Sequence, residues 1–430
     1  MTDLETRAPS SRPGPLRRAA PALLGYAAVR ALGLVVLALW SETRGKSAYT
    51  LLTARWDALW YTGIAELGYG YEVRLPNGDV HSNLAFFPLL PWLERLLAAV
   101  SPLSYADGGF AVAVLASLAA AWGIFAVADH VYGPRVGLCA VLLWAVLPVG
   151  VVQSMAYSES LFTALAAWSL YAVLTGRWVT AGVLAGLAGL TRPVGLAVVA
   201  AVWAAGIASL AHGRRSPAGF RSLGGSRGAA PVGGARSAER AAPHEDTRRV
   251  SSPEGAHVPP SAPGVGVRRA LGMFLAPLGA AGYVLWVGHR TGKGPFGYLD
   301  VQAGWRNGFD GGYAFARFAL EKFTSFPSAL AGLGLVLGVG LLVWLYVVCV
   351  RRRQPLPLLV YAGVVTALAL CASSYFGSKP RLLMPAFPLL LPPAQGLARL
   401  RTPRSALVVA SVAVSSAVYG AFWLNGSGPP

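Results

Sequence analysis

The chain has 430 residues, of which 55% are hydrophobic and only 13% are charged, and its mean hydropathy is +0.52. A soluble domain carries about 25% charged residues, so this composition excludes a soluble globular protein and indicates an integral membrane protein. The net charge of +18 would suit a nucleic-acid-binding protein. However, the lysines and arginines lie mostly in short segments between apolar runs, a distribution that marks the cytoplasmic side of a membrane and predicts no nucleic-acid partner.

Long apolar runs predict the fold class. They are continuous and rich in Ala, Leu and Val, which excludes the alternating pattern of a membrane β-barrel and leaves a helical bundle. The clearest runs cover 21–40, 108–128, 136–156, 159–175, 269–288, 328–350, 355–373, 382–397 and 405–424. Residues 179–211 add two short helices broken at Thr191-Arg192-Pro193. We therefore predict an all-α polytopic membrane protein of about 11 transmembrane helices.

Loop composition divides the chain. The first apolar run has no small-residue cleavage pattern after it, so we expect it to be retained as a span rather than removed as a signal peptide. Residues 212–268 are rich in Gly, Pro, Ser, Ala and Arg and lack hydrophobic periodicity, which predicts a disordered spacer. The predicted parts are a cytoplasmic tail (1–18), a first membrane part (19–211) that includes an outer loop (41–107), a basic cytoplasmic linker (212–268), C-terminal transmembrane helices (269–424) and a tail (425–430).

The loop charges predict the orientation, with the N-terminus and 212–268 in the cytoplasm. Residues 85–100 leave two alternatives open. If they span the membrane, residues 157–160 face the cytoplasm. If they form an interfacial amphipathic helix in the first outer loop, residues 157–160 and 191–193 face outward. Such a helix accounts for Pro88, Pro91, Trp92, Glu94 and Arg95. The second alternative puts Arg135 and Arg177 inside and agrees better with the loop-charge rule.

Under that topology, polar residues from distant segments converge on the outer face. Ionisable groups at membrane depth are costly, and this makes them functional candidates. The candidates are Asp57, Glu66, His81, Asn83, Glu159, Arg192, Gln302, Trp305, Lys379 and Arg381. A transporter is the alternative class, but it would carry charges along a midplane path and an internal repeat, and neither is evident here.

Five motifs in order resemble one family. They are RWDALWYTGIAELGY (55–69), NLAFFPLLPWLERL (83–96), SESLF (158–162), GLTRPVGL (189–196) and KPRLLMPAFPLL (379–390). They resemble the PIG-V family of integral-membrane mannosyltransferases, related to GPI mannosyltransferase II, within the GT-C superfamily. The resemblance implies a GT-C-like bundle whose motif aspartate, here Asp57, is catalytic. It also implies a polyprenyl-phosphate sugar donor, with mannose as the expected sugar.

The residue chemistry suits glycosyl transfer. A carboxylate beside the acceptor hydroxyl acts as general base, the role expected for Asp57. A phosphate leaving group needs positive charge instead of a second acid, so we expect Arg192, Lys379 and Arg381 to bind the donor phosphate. The expected substrate-binding residues are Trp56, Trp60, Tyr61, Glu159, Gln302 and Trp305. Asp57 and Glu159 also have a purely structural alternative, because acidic residues commonly cap helix N-termini.

The expected activity is therefore transfer of a mannosyl residue to a hydroxyl of a glycolipid or glycoprotein acceptor, on the outer face of a bacterial plasma membrane, with membrane lipids as further partners. A GT-C enzyme that uses another polyprenyl-phosphate sugar, such as glucose or arabinose, is the alternative, since pocket shape decides the sugar. We expect no cofactor. Three cysteines and six histidines show no metal-site spacing, so no metal ligands are predicted and the metal requirement stays open.

Overall fold

The computed structural model of the chain describes residues 14–214, 264–373 and 375–426. Its described part is mostly helical. The helices are α1 (Pro15–Thr43), α2 (Ala48–Thr53), α3 (Asp57–Leu67), α4 (Leu89–Val100), α5 (Tyr105–Tyr132), α6 (Pro134–Ala145), α7 (Ser158–Leu174), α8 (Trp178–Gly189), α9 (Leu196–Arg214), α10 (Val265–Leu275), α11 (Leu278–Arg290), α12 (Gly297–Gly304), α13 (Tyr313–Glu321), α14 (Ser328–Arg351), α15 (Leu356–Cys371), α16 (Lys379–Leu383), α17 (Leu391–Arg399) and α18 (Thr402–Asn425). Strands β1 (Glu72–Arg74) and β2 (Val80–Ser82) form an antiparallel hairpin in the first long loop. Most of the predicted linker and tails lies outside the described residues.

The helical membrane fold is confirmed. Within the described residues, six helical segments are long and apolar enough to cross a bilayer. They are Pro15–Thr43, Tyr105–Tyr132, Pro193–Ala211, Val265–Arg290, Ser328–Arg351 and Thr402–Asn425. Shorter apolar helices are Pro134–Ala145, Ser158–Leu174, Trp178–Gly189 and Leu356–Cys371. The chain is thus an integral membrane protein with a polytopic all-α fold.

Two predicted spans are wrong in their extent, and proline explains both. The run 136–156 is helical only as far as Ala145, because Pro148 follows and a proline cannot continue the helical hydrogen bonds. The guanidinium of Arg30, within α1, donates to the backbone carbonyls of Ala145 and Gly150. It thereby provides a hydrogen-bond partner for a carbonyl at the C-terminal end of α6. The run 382–397 is divided into α16, a 3₁₀ turn over Phe387–Leu390 and α17, since it contains Pro385, Pro388, Pro392 and Pro393.

The largest core lies where α1, α5, α6 and α7 meet the C-terminal segments. Trp144 is fully buried there, stacks on Tyr26 with ring centroids 5.5 Å apart, and donates its indole N–H to the Met384 carbonyl at 3.1 Å. Small residues permit close helix packing elsewhere. A Cβ added to Gly182 of α8 would lie 2.2 Å from the Gly272 carbonyl oxygen of α10, a contact that only glycine allows.

The predicted interfacial helix within 85–100 is present as α4, which packs on α5 and α3. Trp92 is exposed, as suits an interfacial helix, whereas Glu94 faces the protein interior. Its side chain is fully buried against Gly109 of α5, where an added Cβ would lie 2.5 Å from the Glu94 Oε1 atom. Arg95 donates its Nε–H to the Ala65 carbonyl at 2.8 Å and so ties α4 to the end of α3.

One contact decides between the two topologies left open by the sequence. The Tyr61 hydroxyl of α3 lies 2.7 Å from the Ser158 hydroxyl at the start of α7. The first long loop and residues 157–160 therefore lie at the same end of the bundle, as the interfacial alternative requires.

Candidate active site

The backbone before Asp57 is held in an unusual conformation. Trp56 has φ 48° and ψ −118°, a region that non-glycine residues rarely adopt and that costs about 1–3 kcal/mol. Arg55 secures this turn: its guanidinium lies 3.9 Å from the Trp56 ring centroid and donates to the Leu424 carbonyl at 2.5 Å. Such local strain is common where a side chain must be presented in a fixed direction.

Asp57 is the first residue of α3, and Trp56 occupies the N-cap position. Oδ2 of Asp57 lies 2.8 Å from Nη2 of Arg381, which belongs to α16. Helix α3 begins one residue earlier than the capping alternative requires, so Asp57 is not its N-cap. The positive end of the α3 dipole stabilises the negative charge at this position.

Arg381 connects Asp57 to a second ion pair. Its Nε lies 3.5 Å from Oε1 of Glu159, near the start of α7, and the same carboxylate contacts Nη1 of Arg192 in the turn after α8. We call Asp57, Glu159, Arg192 and Arg381 the ion-pair cluster. Four separate segments contribute to it, and its two negative and two positive charges balance.

A hydroxyl pair borders the cluster. Ser158 Oγ accepts a hydrogen bond from Arg192 Nη1 at 3.3 Å and is paired with the Tyr61 hydroxyl. The Tyr157 ring lies beneath Arg381, with the guanidinium carbon 5.1 Å from the ring centroid. Tyr61, Tyr157 and Ser158 are buried. Their contacts therefore fix the positions of Arg192 and Arg381 from the interior of the protein.

Burial and charge act in opposite directions on the two arginines. Burial alone would lower the pKa of Arg192, but Glu159 and Tyr61 raise it above its usual value. For Arg381, burial likewise lowers the pKa, and the carboxylates of Asp57 and Glu159 outweigh this and raise it. Burial also raises the pKa of Tyr61 above its usual range. Both guanidinium groups therefore stay charged at working pH, and Tyr61 stays a neutral hydroxyl.

An aromatic wall, formed by Trp60, His81, Phe86 and Trp305, lies one helical turn beyond Asp57. Trp60 stacks on Phe86 with centroids 5.5 Å apart and meets Trp305 edge-on at 5.0 Å. His81 stacks on Trp305, with ring centroids 4.0 Å apart. The indole N–H of Trp305 donates to the Ser82 carbonyl at 3.0 Å, which anchors the loop before α13 to the hairpin.

The structure brings some predicted site residues together and leaves others apart. Asp57, Tyr61, Glu159, Arg192 and Arg381 form or border the ion-pair cluster. Trp60 and Trp305 belong to the aromatic wall, while Trp56 contacts Arg55. Gln302 has internal partners: its amide donates to the Tyr298 hydroxyl at 2.6 Å, and its Oε1 accepts from Asn307 at 2.9 Å.

Lys379 lies outside the ion-pair cluster. Its ammonium donates to the carbonyls of Ala369 at 2.8 Å and Ala372 at 2.7 Å, at the end of α15. It also lies 4.9 Å from the Phe315 ring centroid. In this arrangement Lys379 satisfies carbonyls at a helix C-terminus, where a cation is favoured.

Sequence reasoning missed several residues at this site: Ser158, Tyr157 and Phe86. Ser158 and Tyr157 adjoin Glu159, and the SESLF motif was the available signal for them. Phe86 lies in the NLAFFPLLPWLERL motif, which indicates the family resemblance and the interfacial helix but no site residue. Within the described ranges, no three His, Cys, Asp or Glu side chains gather in a way that could hold a metal ion.

Part of the chain matches a known family. Residues 84–218 match the family described as dolichyl-phosphate-mannose-protein mannosyltransferase. This segment contains Glu159 and Arg192 of the ion-pair cluster.

Two curated relatives are similar to the chain over about a third of its length. GPI alpha-1,6-mannosyltransferase 2 from Rattus norvegicus is 35% identical over 163 residues, which are 34% of this chain and 30% of the relative. The same enzyme from Mus musculus is 35% identical over 160 residues, 33% of this chain and 29% of the relative. The similarity thus spans less than a third of these relatives. The resemblance to the PIG-V family that the motifs predict is confirmed over about a third of the chain.

A solved structure of ArnT from Cupriavidus metallidurans, bound to undecaprenyl phosphate, is also similar to the chain. It has a TM-score of 0.47 and 14% identity, and the match covers 89% of this chain and 61% of that one.

Proposed function

We propose that the chain is an integral-membrane glycosyltransferase. In this proposal it transfers a mannosyl residue from polyprenyl-phosphate-mannose to a hydroxyl of a glycolipid or glycoprotein acceptor at the outer face of the membrane. The observation that carries the proposal is the ion-pair cluster, which unites Asp57, Glu159, Arg192 and Arg381 from four distant segments at one end of the bundle. The similarity of residues 84–218 to mannosyltransferases supports the class of reaction.

Asp57 is the general base of the proposed reaction. Its side chain is 22% exposed, whereas Glu159 is 1% exposed, so Asp57 is the carboxylate that an acceptor hydroxyl can reach. It removes the hydroxyl proton as the oxygen attacks the anomeric carbon, a form of catalysis that contributes about 10²–10⁴-fold.

Arg192 and Arg381 supply the positive charge for the donor. The bond from the anomeric carbon to the phosphate oxygen breaks, and the electron pair leaves with the phosphate, which needs no proton at neutral pH. Guanidinium groups contact phosphate oxygens by two parallel hydrogen bonds, and their fixed positions stabilise the charge that develops on the leaving group.

The aromatic wall provides the surface for a sugar ring. Trp60 follows Asp57 by three residues on α3, so both side chains lie on the same side of the helix. A charge cluster confined to one end of the bundle also supports group transfer over transport, because a transporter needs charges along a path through the membrane.

Asp57→Asn tests the reaction. Membranes that contain the variant should lose at least about 100-fold in mannosyl transfer from polyprenyl-phosphate-mannose, because the amide cannot accept the proton. Glu66→Gln is the matched control, since Glu66 lies on the same helix but is exposed. Unchanged transfer by Asp57→Asn would remove Asp57 from the mechanism, and transfer only from the glucose or arabinose donor would replace mannose as the sugar.

A second measurement tests the side of the membrane. Asn77 lies in the exposed turn of the β-hairpin, near the proposed active site in the chain. A cysteine introduced there should react with an impermeant maleimide added to intact cells. Labelling that requires permeabilised cells would place the hairpin in the cytoplasm and contradict the outer-face proposal.

A further inference from the structure

Arg381 has unused hydrogen-bonding capacity. A guanidinium carries five N–H donors in a fixed plane. Nη2 of Arg381 contacts Asp57 and Nε lies near Glu159, but Nη1 is buried and has no hydrogen-bond partner within the described part of the chain. A buried donor without a partner is costly and rare in a native protein. A ligand oxygen at Nη1 would satisfy it.

The order of exposure gives the direction from which such a ligand arrives. The side chains of Asp57, Arg381 and Glu159 are 22%, 9% and 1% exposed. Asp57 is therefore the most accessible of the three side chains, Arg381 is less accessible and Glu159 is the least. An anion that approaches Arg381 must come close to the Asp57 carboxylate.

Because the charges of the cluster balance, a ligand phosphate and the Asp57 carboxylate compete for Arg381. Asp57 and Glu159 already neutralise Arg192 and Arg381, so the cluster has no excess positive charge for a phosphate. Like charges at short range repel, and one guanidinium cannot serve two carboxylates and a phosphate with equal strength.

We propose that the donor phosphate and Asp57 compete for Arg381, so that the general base is held by the arginine until the donor binds. This inference rests on the proposed function. The phosphate takes hydrogen bonds from Arg381, and the Asp57–Arg381 pair weakens. The freed carboxylate then accepts the proton of the acceptor hydroxyl, the oxygen bonds to the anomeric carbon, and the phosphate leaves with the electron pair of the broken bond. Asp57 later gives its proton to water, and its pairing with Arg381 is restored as the prenyl phosphate leaves.

Donor binding thus precedes activation of the acceptor. Without the donor, the Asp57 carboxylate is paired with the buried Arg381 guanidinium and is not free to contact an acceptor hydroxyl. With the donor in place, the phosphate accepts the hydrogen bonds of Arg381, and the carboxylate is free to contact the acceptor hydroxyl.

A binding experiment on the full-length protein in detergent tests this competition. The probe is farnesyl phosphate, and the readout is its dissociation constant by isothermal titration. Asp57→Asn should bind the probe about tenfold more tightly than the unaltered protein, since one competing charge-assisted hydrogen bond is removed. Arg381→Gln should bind it at least about tenfold more weakly. Glu66→Gln should bind it with unchanged affinity.

A double variant separates competition at Arg381 from general repulsion between anions. In the Arg381→Gln background, the gain from Asp57→Asn should disappear, because the contested group is gone. A gain that persists in this background, or equal or weaker binding by Asp57→Asn alone, overturns the proposal. Asp57→Ser replaces Asp57→Asn if the latter does not elute as a monodisperse protein.

The outcomes distinguish this inference from the proposed function. Loss of mannosyl transfer in Asp57→Asn together with unchanged probe affinity would keep the transferase and refute the competition. Tighter probe binding in Asp57→Asn, without transfer from any sugar donor by the unaltered protein, would keep the competition and refute the transferase.

Discussion

Two glutamates in this protein are equally hidden from solvent, and their surroundings differ. Glu159 is 1% exposed and its carboxylate lies between the guanidinium groups of Arg192 and Arg381. Glu94 is 0% exposed and lies against the glycines of α5, and its carboxylate has neither an ion-pair partner nor a hydrogen-bond partner within the described residues. One buried carboxylate belongs to an ion-pair cluster, and the other is isolated.

The difference shows how this fold treats buried acid. Burial raises the pKa of Glu94 to about 9, so this side chain is held in its neutral form at pH 7. Glu159 instead forms ion pairs with Arg192 and Arg381, which come from separate segments of the chain. Such clusters contribute little to stability compared with apolar residues of the same shape, so a functional reason for keeping one is the better explanation.

The largest expected effect comes from removing the cation shared by both carboxylates. Arg381→Gln should lower the free energy of unfolding by about 3–5 kcal/mol, because it leaves Asp57 and Glu159 without a common partner. The same change should reduce mannosyl transfer by about 100- to 1000-fold, as expected for loss of a group that stabilises charge on the leaving phosphate. Denaturant unfolding in detergent and initial transfer rates provide the two measurements.

Arg381→Lys is the control for that variant. It keeps one positive charge but not the planar fork of donors, so stability should recover more than transfer does. Full recovery of transfer by lysine would mean that only charge is required at this position.

Glu159→Gln should have a smaller effect on the same cluster. It leaves Arg192 buried with a neutral partner, and we expect a loss of about 3 kcal/mol in the free energy of unfolding. Glu159→Asp keeps the charge on a shorter side chain and should recover part of this loss. Equal stability of Glu159→Gln and the unaltered protein would show that the cluster does not need this carboxylate to hold its arginines.

Glu94→Gln tests the other side of the comparison through pH. The folded protein keeps the Glu94 proton up to about pH 9, whereas the unfolded chain releases it near pH 4.5. Unfolding therefore releases a proton between these values, and the stability of the unaltered protein falls as pH rises, by up to about 1.4 kcal/mol per pH unit from this group. Below pH 4.5 the group contributes no pH dependence.

The measurement is the midpoint of thermal unfolding at pH 5 and pH 8. Relative to the unaltered protein, Glu94→Gln should gain stability between the two pH values, because the amide does not titrate. Glu66→Gln, at an exposed position of α3, should show no such gain. A constant difference between Glu94→Gln and the unaltered protein would mean that Glu94 is ionised in the fold.

Much of this arrangement follows from the sequence. Continuous apolar runs predicted the spans, and loop charges predicted that residues 57, 159, 192 and 381 meet at one end. The closely spaced prolines within 382–397 are visible in the sequence, but apolar composition alone predicts a span there. Prolines can interrupt a helix at membrane depth only where neighbouring segments provide hydrogen-bond partners for the freed backbone groups.

Other features depend on tertiary contacts that no local pattern encodes. Glu94 and Arg95 are adjacent in an amphipathic segment, and only the position of Gly109 on another helix shows that Glu94 is the buried one. Lys379 and Arg381 are separated by one proline, and both appeared suited to phosphate. In the fold, Arg381 contacts carboxylates, whereas Lys379 donates to carbonyls at the end of a helix.

Among the variants considered, a substitution of Lys379 should have the smallest effect. Lys379→Met keeps the aliphatic stem and removes hydrogen bonds to the carbonyls at the end of α15, so it should lower the free energy of unfolding by about 1–2 kcal/mol. The KM for polyprenyl-phosphate-mannose should not change, in contrast to Arg381 variants. Lys46→Met is the matched control, because exposed Lys46 donates to a single backbone carbonyl, that of Asn425. A rise of about tenfold in the donor KM for Lys379→Met alone would return Lys379 to the phosphate site, and would mean that its ammonium leaves the α15 carbonyls when the donor binds.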